Sequence, residues 1–374
     1  MREIGSEFWL DCIPSEYTVK PPSWLNLGKD YRLLLSGRTA IDYVLRDITT
    51  TVKSVYFPSY CCSSMLQPFI DRGIQIDLYK VIFSNEGLEY IVDQDKSCDV
   101  FFSTSYFGFS STVMDSIIKA FKSKGTIVIE DITHRLLSEQ PCCNESDYTV
   151  ASLRKWFAIP SGGLAAKQKG KFSRQTLNPP MPLLINTKIK AMTKKEEYIK
   201  EYEKQTLIKE SNKEDFLEMY SQFNKSLHLD YKSIEIDGVS RSILSTIDID
   251  TIKKKRRENA FYINEAVKKL NNIKLNNTKL NNIKPLISNS DFSKDCPLFF
   301  PIRARKDIRD ALKNYLITNR MYCPIHWPIP DEFCLSTDTS DVYLEELSLI
   351  CDQRYDLYDM KRLVNTIGGF LSTI

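Results

Sequence analysis

Several classes of protein are excluded by what this sequence of 374 residues lacks. No apolar run approaches the roughly 18 uninterrupted residues of a membrane span, and the opening stretch MREIGSEFWLDCIP has no apolar core of a secretion signal. Because 51 Lys and Arg residues face 48 Asp and Glu, the net charge of +3 provides no basic excess for nucleic acid or a membrane surface. We therefore expect a cytoplasmic protein that binds neither nucleic acid nor a membrane, while binding of small anionic ligands remains possible.

Metal-binding patterns are also missing. Only three histidines are present, and the adjacent pairs Cys61-Cys62 and Cys142-Cys143 do not have the Cys-x-x-Cys spacing of zinc sites. In a chain of this length without a secretion signal, we expect the ten cysteines to be reduced. The sequence predicts no metal.

The residues that are present suit a large soluble fold. At 42% hydrophobic and 26% charged residues, the chain can bury a full core and form two domains. From about residue 30 to 155, short β-branched and aromatic runs alternate with amphipathic segments, which predicts a mostly parallel sheet covered by helices. The predicted strands are SVYFP, IQIDLYKV, DVFFSTS, TIVIED and YTVASL, and the helices include TAIDYVLRDI and MDSIIKAFKSKG.

The second half of the chain predicts a smaller unit. Residues 193–223 are highly charged, which predicts one long solvated helix leading out of the first domain. The later segments are predicted as a helix (252–270), a polar connector (271–284), a strand (296–304), a helix (306–320) and a strand (321–328). We therefore divide the chain into an N-terminal arm (1–24), a large α/β domain (25–225) and a small C-terminal α+β domain (226–374).

The turn SGRTA, at the start of the first predicted helix, could bind an anion. Gly37 lets the backbone approach a ligand, and the free amides of Arg38 and Thr39 begin a helix whose dipole favours negative charge. An ordinary helix N-terminus after a glycine turn is the alternative.

Other polar residues follow the ends of predicted parallel strands, where ligands bind in open sheets. Asp131 ends TIVIED, His134 comes three residues later, and Lys155 follows YTVASL and precedes a Gly-Gly turn. Taken singly, Asp131 could cap a helix or form a surface ion pair, His134 could pack in a loop, and Lys155 could be solvated. A phosphate turn, a carboxylate and a lysine in this order are nevertheless the parts needed to hold pyridoxal phosphate.

These motifs carry a resemblance that covers most of the chain. The sequence resembles fold type I pyridoxal-phosphate enzymes and is most similar to the DegT-type family of sugar aminotransferases. The resemblance implies a mostly parallel, seven-stranded type of sheet with helices on both faces and a smaller C-terminal α+β domain. The matching segments are SGRTAI, VYFPSYCCSS, TSYFG, IEDITH, SLRKWFAIPSGG, MYCPIHWP and LSLICDQRY.

The resemblance also implies roles for the candidate residues. Lys155 would bind the cofactor as a Schiff base and carry protons, and Asp131 would pair with the pyridine nitrogen. Ser152 and the turn 37–39 would hold the phosphate, and His134 would lie against the ring or its 3-oxygen. The implied activity is transfer of an amino group, with glutamate as the expected donor, to a keto group on a nucleotide-linked sugar for surface polysaccharide. A pyridoxal-phosphate lyase or dehydratase, or a non-catalytic ligand-binding relative, is the alternative.

Some positions depart from the family pattern. Cys62 stands where the family places an aromatic residue that stacks on the cofactor, so Tyr60 or another residue would have to supply the stacking ring. Ser161 stands where the family often has Glu. The family is dimeric, and the segment 237–259 would bring Ser240 or Arg241 to the partner's phosphate, so we expect a homodimer.

The arginines near Lys155 bear on the choice of amino acceptor, because an amino-acid acceptor would present an α-carboxylate that an arginine binds. We expect Arg154 to turn away from Lys155, which leaves no obvious arginine for an α-carboxylate and favours a keto-sugar acceptor. Four residues of the small domain are candidates for the substrate pocket: Arg303, His326, Trp327 and Arg354.

Overall fold

The structure is a computed structural model that describes residues 2–10, 12–14, 17, 20–84, 87–173, 176–203, 210–271, 274–275, 278–279, 282–287, 290–330 and 340–374. The described strands are β1 (Ile4–Gly5), β2 (Asp30–Leu34), β3 (Ser54–Pro58), β4 (Gln75–Phe83), β5 (Leu88–Ile91), β6 (Val100–Thr104), β7 (Ile127–Asp131), β8 (Tyr148–Ser152), β9 (Gly163–Lys167), β10 (Lys274–Leu275), β11 (Thr278–Lys279), β12 (Ile283–Pro285), β13 (Phe300–Ala304), β14 (Met321–Tyr322) and β15 (Glu346–Leu349). The described helices are α1 (Gly37–Asp47), α2 (Ser63–Ile70), α3 (Thr112–Ser123), α4 (Pro182–Glu203), α5 (Glu210–Leu229), α6 (Gly238–Thr246), α7 (Ile249–Asn271), α8 (Lys306–Thr318), α9 (Ser340–Glu345) and α10 (Leu357–Leu371). None of these helices combines the length and apolar character needed to cross a bilayer.

A large sheet of eight strands, in the order β2-β9-β8-β7-β6-β3-β4-β5, forms the centre of the fold. The neighbouring pairs from β8 to β4 are parallel, whereas β9 is antiparallel to both β8 and β2, and β5 is antiparallel to β4. The mostly parallel sheet predicted from the alternating pattern is therefore confirmed, and β5 adds an eighth strand as a hairpin with β4.

Both faces of this sheet are covered, because every residue of β6 is buried. The two predicted helices α1 and α3 turn their apolar stripes inward: Ile41, Val44 and Leu45 of α1 are buried, as are Met114, Ile117, Ile118 and Phe121 of α3. Ser36 caps α1 by accepting a hydrogen bond from the Thr39 amide at 3.2 Å. The cap fixes the start of α1 directly after β2, at the edge where the candidate site lies.

The single solvated helix predicted over residues 193–223 is wrong. The chain forms two helices, α4 and α5, which bury Tyr198, Phe216 and Phe223. The N-terminal arm packs on them, and the Leu10 amide donates to the Met192 carbonyl at 3.4 Å. Sparse apolar residues suffice here because the two helices and the arm share one buried cluster.

The C-terminal part contains a three-stranded antiparallel sheet, β12-β13-β15, that packs with α7, α8 and α10 around one core. The strand predicted over 321–328 is shorter than expected, because only Met321–Tyr322 is extended, in parallel pairing with β1 of the arm. Pro324 lacks an amide hydrogen, and the His326 amide donates to the Glu346 carboxylate at 2.6 Å instead of to a strand. Of the predicted connector, β10 and β11 form a short antiparallel pair, and residues 272–273, 276–277 and 280–281 lie outside the described residues. The domain limits at 24/25 and 225/226 stay predictions.

Candidate active site

A cavity of about 290 Å³ at the carboxyl ends of the parallel strands collects most of the predicted site residues. Asp131 ends β7 and Ser152 ends β8, and both line it, together with the start of α1. The predicted cofactor residues that line this cavity are Gly37, Arg38, Asp131, His134, Ser152 and Lys155, and the substrate-pocket candidate Trp327 lines it as well. Thr39 is not among the lining residues, because it is buried beneath them with its hydroxyl 2.9 Å from that of Ser36.

The turn at the start of α1 is held in place by two close backbone approaches. A Cβ added to Gly37 would lie 3.1 Å from Ser152 Cβ, and one added to Gly163 would lie 2.0 Å from the Ser36 carbonyl oxygen. Glycine at both positions lets the turn pack directly on β8 and β9. The free amides of α1 and the hydroxyls of Ser36 and Ser152 are thereby gathered at one end of the cavity, where an anion could bind.

Arg38 adds a positive charge to this end. Its guanidinium donates to the Leu227 carbonyl at 2.8 Å and to the Ser64 carbonyl at 3.4 Å. These bonds join α1 to α2 and α5, so the charge stays at the cavity.

Asp131 is buried and has no ion pair among the described residues. Its Oδ1 accepts a hydrogen bond from the Thr133 amide at 2.8 Å. Burial raises the pKa of Asp131, and the bonds from Thr133 and the charge of Lys155 oppose the rise. No described helix begins here, so the helix-cap and surface alternatives do not hold, and Asp131 presents a carboxylate to the cavity.

His134 presents a hydrogen-bond donor to the same cavity. Its Nδ1 accepts from the Phe107 amide at 3.1 Å, which leaves the proton of the neutral ring on Nε2. Burial is the main reason that the pKa of His134 lies well below its usual value, and the charge of Lys155 adds to the lowering. Nε2 is buried and has no partner in the described part of the chain. The ring can therefore donate to an acceptor in the cavity.

Lys155 ends the short 3₁₀ turn Leu153–Lys155 that follows β8. The turn is fastened by a hydrogen bond from the Leu153 amide to the Gly162 carbonyl at 3.0 Å. The Lys155 Nζ atom lies 5.7 Å from the centre of the Trp327 ring and has no hydrogen bond or ion pair within the described residues. The backbone of Lys155 is thus fixed by a hydrogen bond, and its amine faces a cavity without a polar partner among the described residues. A solvated surface lysine would not combine these two properties.

Trp327 gives the cavity an aromatic wall that the sequence around Cys62 did not indicate. Its ring centre lies 5.5 Å from that of His134, with 32° between the planes, and it lines the cavity together with Cys62. Tyr60 is fully buried and packs against Trp327 at 5.1 Å without lining the cavity. No local pattern links Cys62 to a residue so distant along the chain.

The other small-domain candidates divide between a second cavity and the interior. Arg354 lines a cavity of about 350 Å³, which Lys155 and Arg154 also line. Arg303 pairs with Glu345, lies over an aromatic ring and lines neither cavity. Arg154 and Lys155 line both cavities, with the Arg154 guanidinium 5.3 Å from the centre of the Phe223 ring and the Lys155 amine near Trp327. The expectation that Arg154 turns away from Lys155 stays a prediction.

His326 and Ser240 are engaged inside the chain. The Nδ1 atom of His326 lies 2.8 Å from the Ser348 hydroxyl, and His326 is buried and lines neither cavity. Ser240 is fully buried, and its hydroxyl accepts from the Ser161 amide at 2.9 Å. The idea that Ser240 reaches a partner's phosphate is therefore wrong, because its hydroxyl closes a contact within its own subunit. The corresponding contact of Arg241 with a partner's phosphate stays a prediction.

Comparison with known proteins identifies the fold. No protein-family model and no curated protein matches the chain. Among solved structures, PseC from Helicobacter pylori, an aminotransferase involved in the biosynthesis of pseudoaminic acid, is 14% identical with a TM-score of 0.61, and the match covers 100% of both chains. The sugar aminotransferase CalS13 from Micromonospora echinospora is 11% identical with a TM-score of 0.58, over 91% of this chain and 87% of that one. NtdA from Bacillus subtilis, solved with bound cofactor PMP, is 13% identical with a TM-score of 0.58, over 91% of this chain and 73% of that one. The fold type I architecture predicted from the sequence motifs is confirmed.

Proposed function

We propose that this protein is a pyridoxal-phosphate-dependent aminotransferase that moves an amino group from an amino acid, glutamate in our expectation, to the keto group of a nucleotide-linked sugar. One observation carries the proposal: a single cavity brings together the amine of Lys155, the buried carboxylate of Asp131 and the anion-binding start of α1. The fold is shared with the sugar aminotransferase CalS13 and with NtdA, which was solved with bound cofactor PMP.

The residues of the cavity fit this cofactor. His134 Nε2 and the Thr104 hydroxyl are buried at the cavity with no partner among the described residues, as expected where a polar ligand completes the bonding. When bound, pyridoxal phosphate supplies an aldehyde that condenses with amines, with loss of water, and a ring that takes up the electrons of a substrate carbanion.

Each side chain then has a defined task. The amides of α1 and the hydroxyls of Ser36 and Ser152 bind the phosphate, and His134 donates to the ring oxygen. Asp131 holds the proton of the pyridine nitrogen, because a buried carboxylate stabilises a cation placed beside it. Lys155 anchors the cofactor through its amine and afterwards moves the proton between substrate atoms.

Trp327 is proposed to supply the aromatic face that Cys62 does not offer. Since aromatic pairs contribute about 0.5–1.5 kcal/mol beyond burial, we expect Trp327→Leu to weaken cofactor binding by about 3- to 10-fold in an absorbance titration. Cys62→Ala, at the same cavity, is the matched control and is expected to bind the cofactor as the wild type does. Equal affinities for the two variants would contradict the assignment.

The acceptor can be tested in one half-reaction. The protein is first converted to its pyridoxamine form with glutamate and then mixed with nucleotide-linked 3-keto or 4-keto sugars, or with small 2-keto acids. We expect the visible spectrum to return with the sugars. A return with the 2-keto acids alone would remove the sugar assignment and leave the cofactor assignment standing.

We further propose a cytoplasmic homodimer that serves surface polysaccharide synthesis. Two-fold dimers are the commonest soluble assembly, and the partly exposed Arg241, 4.0 Å from Glu235, could extend to a neighbour. Sedimentation of the cofactor-loaded protein at micromolar concentration tests the dimer, and a monomer alone would exclude it.

A further inference from the structure

The second cavity, of about 350 Å³, shares two adjacent lining residues with the proposed cofactor site. Arg154 and Lys155 line both cavities, whereas the phosphate-turn residues Ser36, Gly37 and Ser152 line only the first. The other residues that line the second cavity come from the N-terminal arm, from α7 and from the C-terminal part, and they include Glu7, Arg256, Asp352 and Arg354. A molecule in this cavity would therefore reach the Lys155 amine from outside the phosphate turn.

Arg154 carries a charge that the described chain does not neutralise through a direct contact. Its guanidinium has no hydrogen bond or ion pair with a described residue, its Nε is buried, and its central carbon lies 5.3 Å from the centre of the Phe223 ring. Burial lowers the pKa of Arg154; the Glu7 carboxylate opposes this effect and the charge of Arg38 adds to it. Because an arginine keeps its proton even when buried, such a position favours a bound anion.

The other charged groups of this cavity already have partners. Arg354 pairs with Asp352 at 2.7 Å, and Glu7 accepts from Lys188 at 3.1 Å. Arg256 donates to the Leu298 carbonyl and to Gln353, both at 2.8 Å. Among the described residues, Arg154 and Lys155 are thus the two cations of the cavity with no hydrogen bond or ion pair.

The chemistry of an amino-acid donor matches this pair. In an α-amino acid, the amine and the carboxylate are bonded to the same carbon. A donor whose amine reacts at the position anchored by Lys155 must therefore place its carboxylate against a neighbouring side chain. Arg154 precedes Lys155 directly and lines the same cavity, and a guanidinium binds a carboxylate through two parallel hydrogen bonds.

We propose that the second cavity binds the amino-acid donor and that Arg154 holds its α-carboxylate, an inference that rests on the proposed aminotransferase function. The arm residues Ser6, Glu7 and Phe8 form one wall of this donor site. The arginine that our sequence analysis could not find for a carboxylate is thus the one next to the anchoring lysine.

The inference is tested with glutarate, a dicarboxylate that lacks an amine and cannot react. Glutarate is titrated into cofactor-loaded protein while the visible absorbance is recorded, and the dissociation constant of the cofactor is measured separately. We expect Arg154→Gln to weaken glutarate binding by at least about tenfold, since a hydrogen-bonded charge is lost, and to leave cofactor affinity within about twofold. Arg154→Lys should give an intermediate value, and the exposed Arg305→Gln should match the wild type.

The possible outcomes separate the two proposals. If Arg154→Gln weakened cofactor binding and left glutarate binding unchanged, Arg154 would be a phosphate ligand and the inference would be overturned. The inference would also be overturned if the variant changed neither affinity. In both cases the proposed function would stand. A wild-type protein that binds no cofactor would overturn the proposed function, and this inference with it.

Discussion

Lys155→Ala is expected to reduce aminotransferase turnover below detection and to remove the visible absorbance of the cofactor-loaded protein. The reason is that Lys155 is the one lysine of the described residues that lines the cavity, so the variant loses the amine proposed both to anchor the cofactor and to carry the proton. The measurement is the absorbance spectrum before and after borohydride, followed by an assay of amino transfer.

A surface lysine provides the control for this variant. Lys119→Ala, on the exposed face of α3, should keep the spectrum and turnover of the wild type. If Lys155→Ala retained a borohydride-reducible adduct, a different lysine would be the anchor and the assignment of Lys155 would be wrong.

Asp131→Asn is expected to keep the fold and part of the cofactor binding but to slow turnover by about 10²–10³-fold. An amide oxygen still accepts the Thr133 hydrogen bond, so the local structure is retained. A neutral amide does not hold the pyridine proton, and losing one partner of a buried charge pair costs about 3–4 kcal/mol. Steady-state kinetics and a circular dichroism spectrum measure the two effects.

The neighbouring carboxylate distinguishes a catalytic effect from a structural one. Glu130 is as deeply buried as Asp131, but it is bonded to Ser105, Ser146 and the Cys143 amide and does not line the cavity. Glu130→Gln should therefore lower stability with little change in the turnover of the folded protein. Unchanged turnover in Asp131→Asn would reduce Asp131 to a residue that only fixes its turn.

The parts of the fold that were predictable are those with local signals. The β-branched and aromatic runs in TIVIED and YTVASL identified β7 and β8, and the spacing of apolar residues identified α1 and α3. Asp131 and Lys155 were recognisable because polar residues at the ends of parallel strands meet at one edge of the sheet, whereas Ser152 was named through the family resemblance. Their meeting in one cavity therefore follows from sequence order alone.

The parts that were not predictable depend on contacts between distant segments. The pairing of β1 with β14 joins the first residues of the chain to its last third, and no pattern in either strand specifies the other. The hairpin of α4 and α5 was missed because its apolar positions are sparse and are buried only when the two helices and the arm come together. Segment composition contains no information on such partners.

Three site residues show the same limit. Trp327 enters the cavity from the C-terminal part, and its proximity to His134 could not be inferred from either segment. Arg154 lies in the 3₁₀ turn that follows β8, and the sequence did not indicate that it would line a second cavity formed with the N-terminal arm and the C-terminal part. Ser240 was expected at a partner subunit, yet it closes a contact with Ser161 inside its own chain.

The central claim, that Lys155 anchors pyridoxal phosphate, is tested most directly by mapping the modified lysine in the wild-type protein. The protein is loaded with pyridoxal phosphate, reduced with borohydride, digested and analysed by mass spectrometry. We predict that the added mass of the reduced cofactor lies on the peptide that contains Lys155. The same mass on another lysine, or no stable addition after reduction, would contradict the claim.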